Sequence, residues 1–193
     1  MVKSIKNRVL IVSAPSGAGK STLVNHLLKS GLPLAFSVSA TSRKPRGKEV
    51  NGREYYFIRA IEFKRKIKAG EFVEWQEVYH NHYYGTLKKE LERIKKEGCI
   101  PLFDVDAKGG INLKKIFGDS ALSIFIMPPS VEELRARLIK RGTETPEDIK
   151  MRVEKAFSEI LLADSFDRVI VNDDLKRASG EICSVVKEFL GRR

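Results

Sequence analysis

Lys20 and Ser21 are the residues of this sequence best suited to chemistry, because they directly follow a glycine-rich turn. An apolar run, Val9 to Val12, precedes the turn, and an amphipathic helical pattern follows it. Backbone N–H groups of such a turn, with the positive end of a helix dipole, favour a bound phosphate chain. Lys20 would reach the outer phosphates, and the Ser21 hydroxyl would bind Mg²⁺. The predicted phosphate loop consists of Ala14, Pro15, Ser16, Gly17, Ala18, Gly19, Lys20, Ser21 and Thr22.

The loop departs from the usual pattern at one position. The pattern G-x-x-x-x-G-K-[ST] has glycine where this chain has Ala14. Because Ala14 stands where the strand enters the turn, its methyl group is tolerable if its φ stays negative. An ordinary turn is the alternative explanation of any glycine–lysine pair. The strand before the turn and the helix after it favour the phosphate loop.

A second group of basic residues also suits an anionic ligand. Arg43 and Arg46 lie three residues apart in the polar segment 39–46, where Pro45 stiffens the backbone. Two guanidinium forks presented in this way suit a phosphate monoester. Residues 43–68 contain ten Lys and Arg against three Glu, and the net charge of the chain is +11. This excess could serve nucleic acid, a small phosphorylated substrate, or only a solvated basic face.

Two carboxylates end a later apolar run. Asp104 and Asp106 close the segment 100–106, which we predict to be a buried strand. Ligands bind outside the carboxyl ends of strands in open α/β sheets, and an acid there in a phosphate-loop protein addresses magnesium. If the strand persists, both side chains point to the same side. The alternative is that they cap the turn that follows.

Strands and helices alternate along the rest of the chain, which predicts a parallel sheet wrapped by helices. A length of 193 residues suits one α/β unit with small inserted lobes. Alternation and apolar runs predict further strands at residues 34–38, 54–58, 72–78, 121–126 and 169–171. His80 and His82 have no third ligand nearby, so we expect them to be surface or loop residues rather than metal ligands.

Two predicted helices between residues 130 and 162 carry basic side chains. Ser130 and Glu133 predict a capping box for the first helix, and Thr145 with Pro146 predicts the cap of the second. The basic side chains near the junction are Arg137, Arg141 and Arg152. Two helices that meet at a glycine in this way suggest a hinged flap rather than a core element.

Composition limits the class of protein. Apolar residues at 42% and charged residues at 32% are typical of a globular protein. No apolar run approaches the roughly 20 residues that a membrane helix requires. Cys99 and Cys183 lack metal-ligand spacing and are interpreted as reduced core thiols. We therefore expect a cytoplasmic protein with no membrane association.

Over nearly its whole length the chain resembles a guanylate kinase. The phosphate loop alone is shared by many nucleotide-binding proteins, but its combination with the arginine segment 39–46 and further motifs is specific. Those motifs are Glu49-Val-Asn-Gly52, Tyr83-Tyr-Gly-Thr86, Asp104-Val-Asp106, Pro128-Pro-Ser130, Arg141-Gly-Thr143 and Val171-Asn-Asp-Asp174.

The resemblance implies an α/β fold with a P-loop NTPase-type parallel sheet flanked by helices, in a single guanylate kinase-like domain over residues 1–193. It further implies an inserted mixed α/β GMP-binding lobe and a helical lid. The core would comprise residues 1–36, 99–129 and 163–193, the insertion residues 37–98, and the lid residues 130–162.

The resemblance also implies roles for individual residues. The GMP phosphate would be held by Arg43, Arg46, Tyr55 and Tyr84, and the guanine by Ser39, Glu74, Thr86 and Asp106. The catalytic set would be Lys20, Arg43, Arg137, Arg141 and Arg152. Magnesium would be bound by Ser21 and Asp104, and Asn172 would join the phosphate loop in binding ATP, near the adenine.

The implied reaction is the Mg²⁺-dependent conversion of ATP and GMP to ADP and GDP in purine nucleotide metabolism. The acceptor is already an anionic oxygen, so alignment and charge neutralisation would suffice without a general base. Partners would be ATP and GMP, with no specific nucleic acid and no membrane, in a monomer or homodimer. The alternatives are a non-catalytic guanylate kinase-like interaction module and a nucleic-acid binder. Lys20, Ser21 and Asp104 argue against the interaction module.

Overall fold

The chain forms two compact units in a computed structural model that describes residues 8–142 and 145–191. The side chains of Tyr79 and Arg141 lie outside the described part. One unit comprises Met1–Leu34 and Leu102–Arg193, and the other comprises Ala35–Pro101.

A five-stranded sheet organises the first unit, in the order β2-β7-β1-β8-β9. Its strands are β1 (Val9–Ser13), β2 (Leu34–Phe36), β7 (Ile100–Val105), β8 (Ala121–Met127) and β9 (Arg168–Val171). The pairs β1–β7, β1–β8 and β8–β9 are parallel, with Leu10 opposite Leu102 and Val9 opposite Ala121. Every residue of β1 is buried, as a continuous apolar run in the middle of a helix-covered sheet should be.

Five helices accompany this sheet: α1 (Lys20–Lys29), α4 (Ala107–Phe117), α5 (Val131–Arg141), α6 (Pro146–Ile160) and α7 (Leu175–Gly191). Leu134 and Leu138 of α5 are fully buried and pack with Ala156 of α6. The spacing of four residues between Leu134 and Leu138 puts both side chains on one face of the helix. The alternating order of strands and helices confirms the predicted α/β fold with a parallel sheet.

A four-stranded mixed sheet, in the order β4-β3-β6-β5, organises the second unit. Its strands are β3 (Ala40–Thr41), β4 (Tyr56–Phe57), β5 (Phe72–Tyr79) and β6 (His82–Leu87), with helices α2 (Ala60–Lys68) and α3 (Lys88–Lys96). The core stacks Phe63 on Phe72 and Tyr83, with ring centroids 4.3 and 5.4 Å away. This second mixed sheet agrees with the inserted α/β lobe that the resemblance implied.

Two strands of this sheet were not predicted. Ala40 and Thr41 are fully buried in β3, although their segment is polar enough to suggest a loop. Strand β6 likewise lies outside the predicted strands, yet it pairs with both β3 and β5. Conversely, the predicted aromatic strand 54–58 shortens to the two residues of β4.

The predicted helix starts are correct, but one cap differs. Ser130 Oγ accepts from the Glu133 N–H at 3.1 Å, whereas the Glu133 carboxylate accepts from Arg137 Nε at 3.0 Å. Glu133 therefore joins an i,i+4 ion pair instead of the predicted capping box. The complete capping box lies at Thr145 and Asp148, directly before Pro146.

Other findings concern cysteines and membrane segments. Cys99 and Cys183 are free thiols and only partly buried, so the prediction that they are core thiols is wrong. None of the helices in residues 8–142 and 145–191 is both long and apolar enough to span a membrane.

Candidate active site

The phosphate loop leaves β1 at its carboxyl end and leads directly into α1. Gly17 and Gly19 have φ values of 94° and 90°, and the Ala18 N–H donates to Pro15 O at 3.1 Å. Asn81 is the one non-glycine residue with positive φ in the described part of the chain. The backbone at Ala14 is thus ordinary, as the sequence required, and the residue is 5% exposed.

Lys20, the first residue of α1, bridges the loop and the neighbouring strand β7. Its ammonium group donates to Val105 O at 2.9 Å and pairs with Asp104 Oδ1 at 2.5 Å. The parallel register, with Val12 opposite Asp104, explains why these side chains meet. Both remain about one-fifth exposed, and Ser21 and Thr22 are exposed on the same helix start. This edge of the sheet therefore carries the positive charge of Lys20, the carboxylate of Asp104 and the hydroxyl groups at the start of α1.

Asp106 does not continue the strand as expected. Strand β7 ends at Val105, and the Asp106 side chain caps α4 by accepting from the Gly109 N–H at 2.8 Å. The alternative considered from the sequence, a capping carboxylate, is therefore correct for Asp106. The sequence contains the signal, because an Asp three residues before the N3 position is a standard helix cap.

Two of the predicted arginines of α5 and α6 contact residues at the ends of the strands. Arg152 Nη1 donates to Ser16 Oγ of the phosphate loop at 2.6 Å. Arg137 Nη2 donates to Asn172 O at 3.1 Å. The side chain of Arg141 lies outside the described residues. Asn172, directly after β9, is 6% exposed and donates from its amide to Ala18 O at 2.7 Å.

Glu159 is a buried acidic residue of this unit, and no role for it follows from the sequence. It is 9% exposed on α6, and Lys155 Nζ lies 3.7 Å from its Oε1. Burial raises the pKa of Glu159, the positive charges of Lys155 and Lys20 lower it, and the negative charge of Asp106 raises it further. The sequence does contain a sign of this burial, because Glu159 lies three residues after Ala156 and therefore on the apolar face of the helix.

In the second unit, Arg43 lies at the centre of a polar and aromatic cluster. Its Nη1 and Nη2 donate to the two Glu49 oxygens at 2.6 and 2.7 Å, and its Nε donates to Tyr84 Oη at 3.2 Å. The guanidinium carbon lies 4.9 Å from the Tyr55 ring centroid, a cation–π contact. The hydrogen bonds to Glu49, foremost, raise the pKa of Arg43.

Glu49 belongs to the motif Glu49-Val-Asn-Gly52, but no role for it follows from the sequence. Besides holding Arg43, it accepts from the Arg46 N–H at 2.7 Å. These bonds, led by that from Arg43, lower the pKa of Glu49 from its ordinary 4.5 to about 2. A single carboxylate therefore fixes one arginine by its side chain and the other by its backbone, while the Arg46 side chain is exposed.

Glu74 and Thr86 meet across the antiparallel pair β5–β6. Thr86 Oγ1 donates to Glu74 Oε1 at 2.9 Å, and Thr86 is fully buried. A Cβ at Gly85 would lie 2.6 Å from Glu74 O, so glycine lets the two strands approach here. Ser39 is half-buried, and its carbonyl accepts from Tyr56 N at 2.9 Å. The second unit thus brings together Arg43, Tyr55 and Tyr84, and separately Glu74 and Thr86.

Comparisons with known proteins agree on one family. A family model described as guanylate kinase matches residues 6–191. A guanylate kinase from Porphyromonas gingivalis is 55% identical over 96% of this chain and 99% of that protein. One from Bacteroides thetaiotaomicron is 52% identical over 99% of this chain and 94% of that protein. The crystal structure of guanylate kinase from Anaplasma phagocytophilum matches with a TM-score of 0.76 and 32% identity, covering 96% of this chain and 87% of that chain.

Proposed function

The chain belongs to the guanylate kinase family, and from this premise we propose that it transfers the γ-phosphoryl group of ATP to GMP. The products are ADP and GDP. The single observation that carries the proposal is Lys20, paired with Asp104 at 2.5 Å at the end of a phosphate loop. The loop, the lysine and the carboxylate are the parts that phosphoryl transfer from a nucleoside triphosphate requires.

The donor side is assigned to the first unit. Backbone N–H groups of the phosphate loop bind the ATP phosphates at the start of α1, and Lys20 neutralises their charge. Arg137 and Arg152 add positive charge, and the contact between Arg152 and Ser16 supports this assignment. Arg141 keeps its predicted role in the same group, and residues 130–162 keep theirs as the lid.

Magnesium fits the donor side by the chemistry of the residues present. The Ser21 hydroxyl and the Asp104 carboxylate offer hard oxygen ligands, which Mg²⁺ prefers. Within residues 8–142 and 145–191 no group of three or more His, Cys, Asp or Glu could hold a metal ion. This suits an ion that takes few protein ligands and completes its shell with phosphate and water. When bound, the ion neutralises negative charge on the transferred phosphoryl group.

The acceptor side is assigned to the second unit. Arg43, Arg46, Tyr55 and Tyr84 bind the GMP phosphate, and the cluster around the Arg43 guanidinium supports this. Ser39, Glu74 and Thr86 select the guanine, and Asp106 keeps the role that the resemblance implied for it. In the step itself an oxygen of the GMP phosphate attacks the γ-phosphorus, and the bond to the ADP oxygen breaks. The attacking oxygen is already anionic, so no proton has to be removed.

The sequence left two alternatives, a non-catalytic interaction module and a nucleic-acid binder. The relatives are named guanylate kinases, which are enzymes, so the interaction module is not supported. The basic excess remains as a nonspecific attraction for polyanions, because phosphate contacts alone carry no base sequence information. We keep ATP and GMP as the substrates and assign no specific nucleic acid.

A coupled assay for ADP tests the proposal. Purified protein is given ATP and Mg²⁺ with GMP, AMP, CMP or UMP, and ADP release is followed. We expect turnover with GMP, background rates with the other three, and no turnover without Mg²⁺. ADP release without any acceptor at the same rate would make the protein an ATPase, and release with all four would remove the guanine assignment.

A further inference from the structure

Asn172 is fixed on three sides, and one of its contacts is with the phosphate loop. Its N–H donates to Met127 O at 2.8 Å, so the residue extends the register of β8 and β9. Its carbonyl accepts from Arg137 Nη2 at 3.1 Å. Its side-chain amide donates to Ala18 O at 2.7 Å, and only 6% of the residue is exposed. The side chain is thus buried against the loop.

The side-chain amide of Asn172 packs directly against the backbone of the phosphate loop at Gly19. Gly19 has φ 90°, and a Cβ there would lie 2.3 Å from Asn172 Nδ2. Any side chain at Gly19 would displace Asn172, in addition to the strain of the left-handed backbone. Asn172 and Gly19 therefore form one packed unit, in which the asparagine amide fills the space that a side chain would take.

The hydrogen bond to Ala18 O also sets the direction of a donor. In a trans peptide the C=O of one residue and the N–H of the next point in opposite directions. Because Asn172 holds the Ala18 carbonyl, the Gly19 N–H must point away from Asn172. In the described part of the chain no acceptor for the Gly19 N–H is found. It is thus available to the anion that the loop is proposed to bind.

We propose that Asn172 is a positioning residue for the phosphate loop, acting on the triphosphate through Ala18 and Gly19 rather than on the adenine. This inference rests on the proposed function, which supplies the triphosphate ligand. It differs from the adenine contact that the family resemblance implied. The same residue connects the loop to Arg137, so one asparagine sets both the backbone donors and a charged side chain.

The first test uses Asn172→Asp, which keeps the size of the side chain but removes the donor at neutral pH. The carboxylate would then face the Ala18 carbonyl oxygen. We expect a tenfold to hundredfold loss of kcat/KM for the donor at pH 8, roughly what an unpaired buried acceptor costs. As pH falls towards 5 the introduced carboxyl gains a proton and can donate again, so activity relative to the parent should recover. Arg137, which donates to the carbonyl of residue 172, and the adjacent Asp173 act on the pKa of this carboxyl in opposite directions.

The second test compares nucleotide bases. Loop positioning predicts the same fold loss with ATP, GTP and ITP as donors, because all three carry the same phosphates. A base contact predicts a loss confined to ATP. Asn172→Ser, whose hydroxyl is too short to reach Ala18, should lose activity equally with all donors and show no recovery at low pH. It replaces Asn172→Asp if that variant fails to fold in a melting experiment.

A third measurement does not depend on activity. The affinity of magnesium tripolyphosphate, which has no base, is measured by calorimetry for the parent and both variants. We expect it to fall by roughly tenfold or more, while the affinity of GMP stays unchanged. Asn112→Asp, an exposed change of the same kind on α4, serves as the matched control. An unchanged tripolyphosphate affinity in a folded variant, or a loss confined to ATP, would overturn the inference. A parent that binds tripolyphosphate through Asn172 but does not phosphorylate GMP would overturn only the proposed function.

Discussion

Glu49 engages Arg43 through two parallel hydrogen bonds, from Nη1 to Oε2 at 2.6 Å and from Nη2 to Oε1 at 2.7 Å. Arg43 Nη1 also donates to Lys44 O at 2.9 Å, and Nε donates to Tyr84 Oη. Four of the five guanidinium N–H groups are therefore used within the described part of the chain. Arg43 offers a phosphate its charge and one further N–H, in an orientation that Glu49 fixes.

Replacing Glu49 tests this arrangement. In Glu49→Gln the side-chain NH₂ would oppose a guanidinium N–H, so the bidentate pair is lost. We expect the KM for GMP to rise roughly tenfold, while the KM for ATP stays within a factor of two. Glu54→Gln, in the same loop region, is the control. A lower KM for GMP in Glu49→Gln would instead mean that the carboxylate competes with the phosphate for Arg43.

The same pair predicts a dependence of stability on pH. The folded-state pKa of Glu49 lies below its ordinary 4.5, at about 2, because Arg43 and the Arg46 N–H favour the charged form. A carboxylate with a lowered pKa stabilises the fold above its unfolded pKa, and this contribution is lost as pH falls through the folded pKa. In urea unfolding, the difference between parent and Glu49→Gln should be constant above pH 5 and should shrink towards pH 2. A difference that stays constant down to pH 2 would contradict the assigned pair.

Lys20 supplies the next prediction. Lys20→Ala removes the ammonium group beside Asp104 and leaves the cluster around Arg43 untouched. We expect kcat to fall by roughly a hundredfold to a thousandfold, since a transition-state charge partner is lost. GMP affinity measured by calorimetry should be unchanged. Lys29→Ala, at the exposed other end of α1, should behave like the parent. Turnover of Lys20→Ala within a few-fold of the parent would remove Lys20 from the catalytic set.

Arg46 provides a test of the acceptor side. Its backbone is held by Glu49, but its side chain is exposed and so can reach an incoming phosphate. Arg46→Ala should raise the KM for GMP by roughly tenfold to a hundredfold and change the KM for ATP little, as expected for a charged hydrogen bond to the acceptor. Lys48→Ala controls for the loss of positive charge in the same loop. Equal losses for both substrates would assign Arg46 to the fold instead.

The proposed guanine selection by Glu74 and Thr86 provides a further test. A carboxylate only accepts, so Thr86 must donate its one hydroxyl proton to Glu74, and Ser39 is left as the hydroxyl that can donate to guanine O6. The parent should prefer GMP over AMP by roughly ten-thousandfold, because a polar site rejects a base that leaves its groups unpaired.

Glu74→Gln should therefore weaken GMP use by at least tenfold without creating comparable AMP use. Thr86→Val should have a smaller effect in the same direction, since it removes one hydrogen bond to Glu74 but leaves the charge of the carboxylate. Glu77→Gln, on the same strand, is the control for Glu74→Gln. One assay with GMP and AMP in competition measures the preference of the parent and of the three variants. Strong use of AMP by the parent would refute the guanine assignment.

The strand, turn and helix of the phosphate loop could be predicted because they are contiguous along the chain. The order strand, glycine turn, Lys20 and helix is local, and the positions of β1 and α1 follow from apolar spacing. The sequence placed Asp104 at the carboxyl end of a strand, where ligands gather, but it did not predict that Lys20 would pair with it.

The second unit was harder to predict because its strands depend on pairing. Ala40 and Thr41 form β3 through partners in β4 and β6, and no periodic pattern marks them. Glu49 reaches Arg43 only after the segment between them folds back, so spacing alone could not reveal the pair. The amide of Asn172 meets Ala18 across a sequence separation of 154 residues, which no local rule anticipates.

The position of β1 between β7 and β8 has a consequence for hydrogen exchange. Its five residues are buried, and the four from Leu10 to Ser13 are paired on both sides, so their amides should exchange with solvent only when the whole first unit unfolds. The phosphate loop begins at the end of this slowest-exchanging segment. A phosphate ligand that binds the loop should therefore slow exchange throughout β1, even though it touches none of the strand's own amides.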